Sequence, residues 1–250
     1  NQELVTFMLD HIKAEAKKRK AITVRFDPAV HSRKYAYVDR KNDIPMEHED
    51  TVSFLICYGA KHKGYTKLIE ETTQPRFNAE MDVIPDYMKK LQTKTRSRIR
   101  KSAEKGITIY EGPEYVHDFA VAMHYTEVRK QIALRNEEYF SHMLDVYGDH
   151  AICMVAKLNF PKQISSLEKE IAEMTEEMNS ESLSRKRAKA IAEKLPEKQK
   201  ELNQLKEEYG REGKDEVITS GCLAVYNDSL MELFYTGNNP DYMRTFSSYY

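Results

Sequence analysis

The steadiest alternation of apolar and polar positions lies between residues 162 and 212. Ile164, Leu167, Ile171, Met174 and Met178 step by 3, 4, 3 and 4, the seam of a heptad-packed helix. "NSESLS" breaks the run. The seam resumes at Ala188, Ile191 and Leu195, then Leu202, Leu205 and Tyr209, with Lys198 where an apolar residue is due. The pattern predicts two antiparallel helices, a coiled-coil arm whose tip falls within Asn179 to Ser184. Pro196 is expected to kink the second helix or mark its restart.

Elsewhere helical and strand periods alternate. "NQELVTFMLDHIKAEAKKRK" puts Leu4, Phe7, Leu9 and Ile12 on one apolar face and ends in a cationic turn, which suits a helix C-terminus. "AITVRFDP" reads as a strand closed by Pro28, residues 30–50 as loop, and "FNAEMDVIP" as another strand. "TVSFLICYGAKHKGY" fits either a buried strand or a short helix. A helix is expected from near Pro85, capped by Gly106 in a left-handed turn. The strand "ITIYEG" follows it, then helices over about 113–131 and 136–147 and the strand "AICMVAKL". After the arm, "VITSGCLAVYN" and "LMELFYTG" form two strands joined across Asn227-Asp228-Ser229. The fold class is therefore α/β (α+β), with a helical arm inserted between two strands.

Composition narrows this picture. The chain has 250 residues, 40% of them hydrophobic, and a formal net charge of −1. That is enough for one large domain or two modest ones, without the overall basicity of a dedicated DNA binder. No stretch approaches the roughly 20 apolar residues that span a bilayer. Cys57, Cys153 and Cys222 are odd in number, far apart and flanked by apolar residues, so buried free thiols and a cytoplasmic setting are expected. The eight histidines show no metal spacing, and neither a metal nor another cofactor is expected. The chain begins at Asn1 and stops at "RTFSSYY", which reads as part of a longer protein.

Positive charge is nevertheless concentrated. "LQTKTRSRIRKSAEKG" carries Lys94, Arg96, Arg98, Arg100, Lys101 and Lys105 against one acid, Glu104. Arg96, Arg100 and Lys101 share a helix flank and could meet phosphate; Arg98 lies nearer the opposite side. Cations spread around a helix also describe a plain solvated surface. A second basic run, Arg185, Lys186, Arg187 and Lys189, opens the second arm helix, whereas the first arm helix is acidic.

"TKTRSRIRKSAEKGITIYEG" and "YTEVRKQIALRNEEYFSHMLDVYGD", then a charged two-helix arm, then "SGCLAVYNDSLMELFYTGNNPDYMRTFSSYY" occur in an order that resembles the Fem family of aminoacyltransferases, which includes FemX-like and MurM-like members. The resemblance covers nearly all of the chain. It implies a pair of GNAT-like acyltransferase lobes. Their segments would be 1–112 (part of the first lobe and a connecting helix), 113–161 and 213–250 (second lobe), with the coiled-coil arm at 162–212. It also implies transfer of an amino acid from aminoacyl-tRNA to the stem-peptide amine of a peptidoglycan precursor, lipid II or UDP-MurNAc-pentapeptide. Peripheral contact with the inner face of the membrane would follow, and DNA would not be a partner. A different class, a non-catalytic scaffold whose arm binds a partner helix or dimerises, fits the heptads equally well.

The resemblance also assigns roles. Arg135 and Tyr139, in "RNEEY", match an Arg and a Tyr that hold the precursor's phosphates, and they lie one helical turn apart. Arg135 could instead pair with Glu137 or Glu138, with Tyr139 in the core. Asp82 matches an acidic residue near the stem peptide, where it could orient the acceptor amine; it could equally end a strand. A Tyr of FemX-like members is Phe77 here. Tyr235 and Gly237 fall in the family's glycine-bearing stretch near the acceptor, but packing and a turn explain them too. The arm cations Arg185, Lys186, Arg187 and Lys189 are candidate tRNA contacts.

Overall fold

The computed structural model describes residues 2–26, 34–36, 43–44, 51–65, 77–180 and 183–249. The chain divides into two compact units, residues 1–83 and 84–250. The second begins upstream of the expected boundary at 112, because the basic helix and the strand after it pack with everything that follows.

In the first unit, α1 (Gln2–Lys18) buries Leu9, while Leu4, Phe7 and Met8 are exposed. A two-residue antiparallel ladder joins β1 (Lys34–Tyr35) to β2 (Asp43–Ile44). The rest of the loop expected over 30–50 lies outside the described residues. The ambiguous segment resolves as a helix, α2 (Thr51–Cys57). Lys13 Nζ donates to the Tyr58 carbonyl at 3.0 Å and stands 4.1 Å from its ring, tying α1 to the end of α2.

Among the described residues, two expected strands do not form. Residues 21–26 and 77–84 carry no ladder, and Ile22, Phe77 and Val83 are 98%, 70% and 85% exposed. A strand is a property of a pair, and among the described residues neither segment has a partner edge. Cys57 is likewise exposed, not buried as expected, because α2 buries none of its residues. Cys153 is buried, and all three thiols are free.

The second unit starts with α3 (Tyr87–Lys90) and α4 (Thr93–Glu104), separate helices where one was expected. The break falls at Leu91 and Gln92, both extended with ψ 145°. Gly106 follows α4 at φ +75° and packs against Gln163, so no side chain fits there. A four-stranded antiparallel sheet has the order β3 (Ile107–Glu111), β4 (Ala151–Asn159), β5 (Glu216–Tyr226), β6 (Met231–Asn238). Between β3 and β4 the chain forms a 3₁₀ turn at Pro113–Tyr115, α5 (Val116–Lys130) and α6 (Glu137–Tyr147).

β4 is buried on both faces, which is why "AICMVAKL" reads as a nearly unbroken apolar run. Cys153 and Val155 join Phe119 and Met123 of α5, Phe140 and Leu144 of α6 and Leu223 in one core. Ala156 and Leu158 face a second core with Ile107, Phe160, Leu167, Leu202, Leu205 and Tyr242. Lys157 is kept among apolar neighbours by Asp118 at 2.6 Å and by the rings of Tyr110 and Tyr115.

The arm is a hairpin of α7 (Phe160–Met178) and α8 (Arg185–Glu212), inserted between adjacent strands β4 and β5. Asn159 and Ser184 cap the two helices, accepting from the backbone N–H of Lys162 and Arg187. Ion pairs Glu168–Lys206, Glu170–Lys198 and Glu177–Arg187 show that the helices run in opposite directions. Lys198 thus fills its seam position by pairing, and the acidic α7 meets a basic α8. Pro196 does not restart the helix. The packing of Ile191, Leu202 and Leu205 on either side of it holds the turn that Pro alone would break.

Candidate functional site

The α5–α6 connection carries Arg135. α5 ends at Gln131, left-handed at φ 54°, and α6 begins after Asn136, whose side chain accepts from the Tyr139 N–H at 3.1 Å. This cap sets the first turn of α6 so that Tyr139 comes back toward the residue before the cap. The Arg135 guanidinium lies 5.0 Å from the centre of the Tyr139 ring. Tyr235, on the edge strand β6, completes the group. Its hydroxyl is 3.5 Å from that of Tyr139, the outer limit of a hydrogen bond, and the two rings meet edge to face. Phe140 lies buried beneath, 5.2 Å from the Tyr235 ring.

One guanidinium and two phenols therefore share one surface patch. Arg135 is exposed and Tyr139 is 36% exposed, so neither is spent on the core. Glu137 pairs with His117 at 2.8 Å, and Arg135 forms no ion pair with Glu137 or Glu138. Burial pushes the Tyr235 phenol above its usual value and the Tyr139 hydroxyl adds to this, while Arg135 pulls it back. Tyr235 therefore keeps its proton at neutral pH and can donate. A cation flanked by two phenol hydroxyls suits an oxyanion such as a phosphate. The open depression along α6, lined by Glu137, Glu138, Ser141, His142 and Asp145, has the opposite character.

Gly237 sits two residues from Tyr235, buried where β6 crosses α5; a Cβ there would stand 2.4 Å from the Ala122 carbonyl oxygen. Asp82 belongs to the first unit, exposed in the irregular run before Ile84. Burial pushes the Cys153 thiol up to about 12, which disqualifies it as a nucleophile at neutral pH.

The basic stretch separates into roles. Arg96 donates to the Lys89 carbonyl at 3.5 Å and to Thr93 Oγ1 at 3.3 Å, joining α3 to α4. Arg98 is half-buried, donates to the Tyr249 hydroxyl and lies over the rings of Phe246 and Tyr249 at 5.7 and 4.9 Å. Lys105 pairs with Glu201 of the arm at 2.6 Å. Arg100 and Lys101 are exposed. At the arm tip Arg187 holds Glu177 through two bonds of 2.7 and 2.8 Å, while Arg185, Lys186 and Lys189 face solvent.

Sequence reasoning passed over Glu127 and Phe140. Glu127, in the last turn of α5, accepts from the Leu134 N–H at 2.7 Å. Its one visible signal is a carboxylate one turn before a loop that has no Gly or Pro to set it.

The whole chain, residues 1–250, matches the FemAB family model, and the chain belongs to the FemAB family. Similar curated proteins include "Aminoacyltransferase FemA" of Staphylococcus aureus strain bovine RF122 / ET3-1, 24% identical over 210 residues, covering 81% of this chain and 48% of that protein. The same protein of strain N315 gives the same figures. Among solved structures, the crystal structure of FemX aligns with all of this chain and 63% of its own, with a TM-score of 0.64 and 22% identity. The fold is thus shared with FemX. The chain spans about half the length of the curated relatives it matches.

Proposed function

We propose that this chain is the precursor-binding part of an aminoacyltransferase that builds peptidoglycan interpeptide bridges, and that Arg135, Tyr139 and Tyr235 seat the diphosphate of lipid II or UDP-MurNAc-pentapeptide. The carrying observation is the convergence of the Arg135 guanidinium with two phenols on one exposed patch. Family membership and the FemA relatives support the aminoacyltransferase class.

The reaction needs no cofactor, because the aminoacyl-tRNA ester is already activated. The neutral stem-peptide amine attacks the ester carbonyl, a C–N bond forms, the C–O bond to the tRNA ribose breaks, and a proton passes from the amine to the departing ribose oxygen, which leaves as the free hydroxyl. Rate is gained by holding amine and ester together, so a fixed diphosphate anchor contributes through position. Asp82 is read as the hydrogen-bond acceptor that orients the amine. Gly237 is read as a substrate contact. Residues 1–112 are read as part of one GNAT-like lobe with a connecting helix, 113–161 and 213–250 as a second, and the arm at 162–212 as an antiparallel coiled coil. Its exposed Arg185, Lys186 and Lys189, with Arg96, Arg100 and Lys101 on α4, are the cations offered to tRNA. Among the described residues no helix is long and apolar enough to cross a membrane. A cytoplasmic enzyme working at the inner membrane face fits the lipid-linked acceptor.

Titration of the chain with UDP-MurNAc-pentapeptide tests the anchor. Arg135→Ala should weaken binding about 10- to 100-fold, the worth of one charged hydrogen-bonding partner. Binding unchanged in that variant removes the assignment.

A further inference from the structure

The loop that carries Arg135 has six residues, 131–136, and no Gly or Pro. Its conformation is set by contacts on either side of Arg135. The Glu127 carbonyl accepts from the Gln131 and Ile132 N–H groups as α5 ends. The Glu127 carboxylate then reaches past the helix end and accepts from the Leu134 N–H at 2.7 Å. Leu134 also packs its side chain against the α5–α6 core. Immediately after Arg135, Asn136 caps α6. The second Glu127 oxygen lies 3.1 Å from His124 Nδ1, which steadies the carboxylate in this pose.

We infer that Glu127 is a positioning residue for Arg135: by holding the backbone of Leu134, it presents the guanidinium beside Tyr139 before any ligand arrives. The inference rests on the diphosphate reading of Arg135. Glu127 needs no contact with substrate for this. The Leu134 N–H, then His124, hold its carboxyl below the usual range, so it is ionised at neutral pH and accepts strongly. It sits at the rim of the core, its side chain 27% exposed, so its loss frees the loop more than it loosens α5. A freed loop must be ordered again on binding, and that cost falls on affinity.

The test is a double-mutant cycle on the whole chain, titrated with UDP-MurNAc-pentapeptide and accompanied by melting curves. Glu127→Ala should bind about tenfold more weakly, the order of one residue's backbone entropy, with little change in melting. Glu127→Gln keeps an oxygen for the Leu134 N–H and should recover most of the affinity. Combined with Arg135→Ala, Glu127→Ala should cost nothing further, because there is no guanidinium left to place. Should Glu127→Ala not fold, Glu127→Asp, one methylene too short for Leu134, carries the same expectation. Wild-type affinity in the Glu127 variants while Arg135→Ala loses binding overturns the positioning role, as do losses that add in the double variant. If Arg135→Ala itself binds normally, the diphosphate reading falls and takes the positioning role with it.

Discussion

Gly221 of β5 and Gly237 of β6 stand directly opposite each other in the sheet, and Ala122 of α5 rests on both. Opposed residues project to the same face, so the missing side chains leave a shallow seat that lets α5 approach the backbone. Without it, α5 and the loop it leads into would ride higher over β6, and Tyr139 would meet Tyr235 differently.

The two glycines are not equally demanding. A Cβ at Gly237 meets the Ala122 backbone oxygen at 2.4 Å, whereas one at Gly221 meets the Phe119 ring at 2.9 Å and Ala122 Cβ at 3.2 Å. A ring can tilt; a helix backbone cannot. Gly237→Ala should destabilise by about 1–3 kcal/mol, and Gly221→Ala by less. Urea unfolding measures both, and equal stability of Gly237→Ala and wild type would refute the seat.

Arg98 predicts an effect at the far end of the chain. Its stacking on Phe246 and Tyr249 holds the 3₁₀ segments Pro240–Thr245 and Ser247–Tyr249 against α4. Arg98→Ala should cost about 1 kcal/mol and speed amide exchange over 246–249. Lysine should not rescue it, since a point charge cannot stack as a planar guanidinium does. Exchange that stays at the wild-type rate would return Arg98 to the solvated surface.

The base of the arm should be sensitive to acid. Burial pushes the Glu201 carboxyl up, but the Lys105 hydrogen bond and the charges of Lys105, Lys198 and Arg244 outweigh it, so its pKa is lowered on folding. A depressed folded pKa stabilises above the unfolded carboxylate value, about 4.3, and that stability is lost as pH falls through the folded pKa. At pH 7 Glu201→Gln should melt below wild type, and the gap should close under acid conditions. A gap that is the same at pH 7 and pH 3 would mean the pair contributes nothing through its charge.

The arm tip offers a test on RNA. Arg187 is occupied by Glu177, which leaves Arg185, Lys186 and Lys189 as the exposed cations there. Replacing those three by Glu should weaken tRNA binding. It should also flatten the plot of log affinity against log salt by about 2–3, roughly one for each phosphate left without its cation. An unaltered slope would assign the arm to another partner.

Much of the second unit could be read in advance because its signals are local. The heptad steps of α7 and α8, the Asn227-Asp228-Ser229 turn and the unbroken apolar run of β4 each reside in neighbouring residues. Among the described residues, the strands expected over 21–28 and 77–85 form no ladder, for the converse reason. Both have strand-like composition, but a ladder needs a second chain segment at the right distance, and composition carries no information about that. Pro196 shows the same limit from the other side: tertiary packing across the hairpin outweighed a strong local breaker.

The candidate site divides along this line. Sequence by itself placed Arg135 four residues before Tyr139 and read the two as one helical turn apart. The structure puts Arg135 in the loop ahead of the Asn136 cap, and that cap, not helical periodicity, turns Tyr139 back toward the guanidinium. Only the tertiary structure brought Tyr235 to them from 96 residues away and turned Arg98 toward Tyr249, 151 residues distant. Such meetings depend on how deeply α5 sinks onto the sheet and where the last turns lie. Those distances are settled by the packing of the whole unit and leave no periodic trace along the chain.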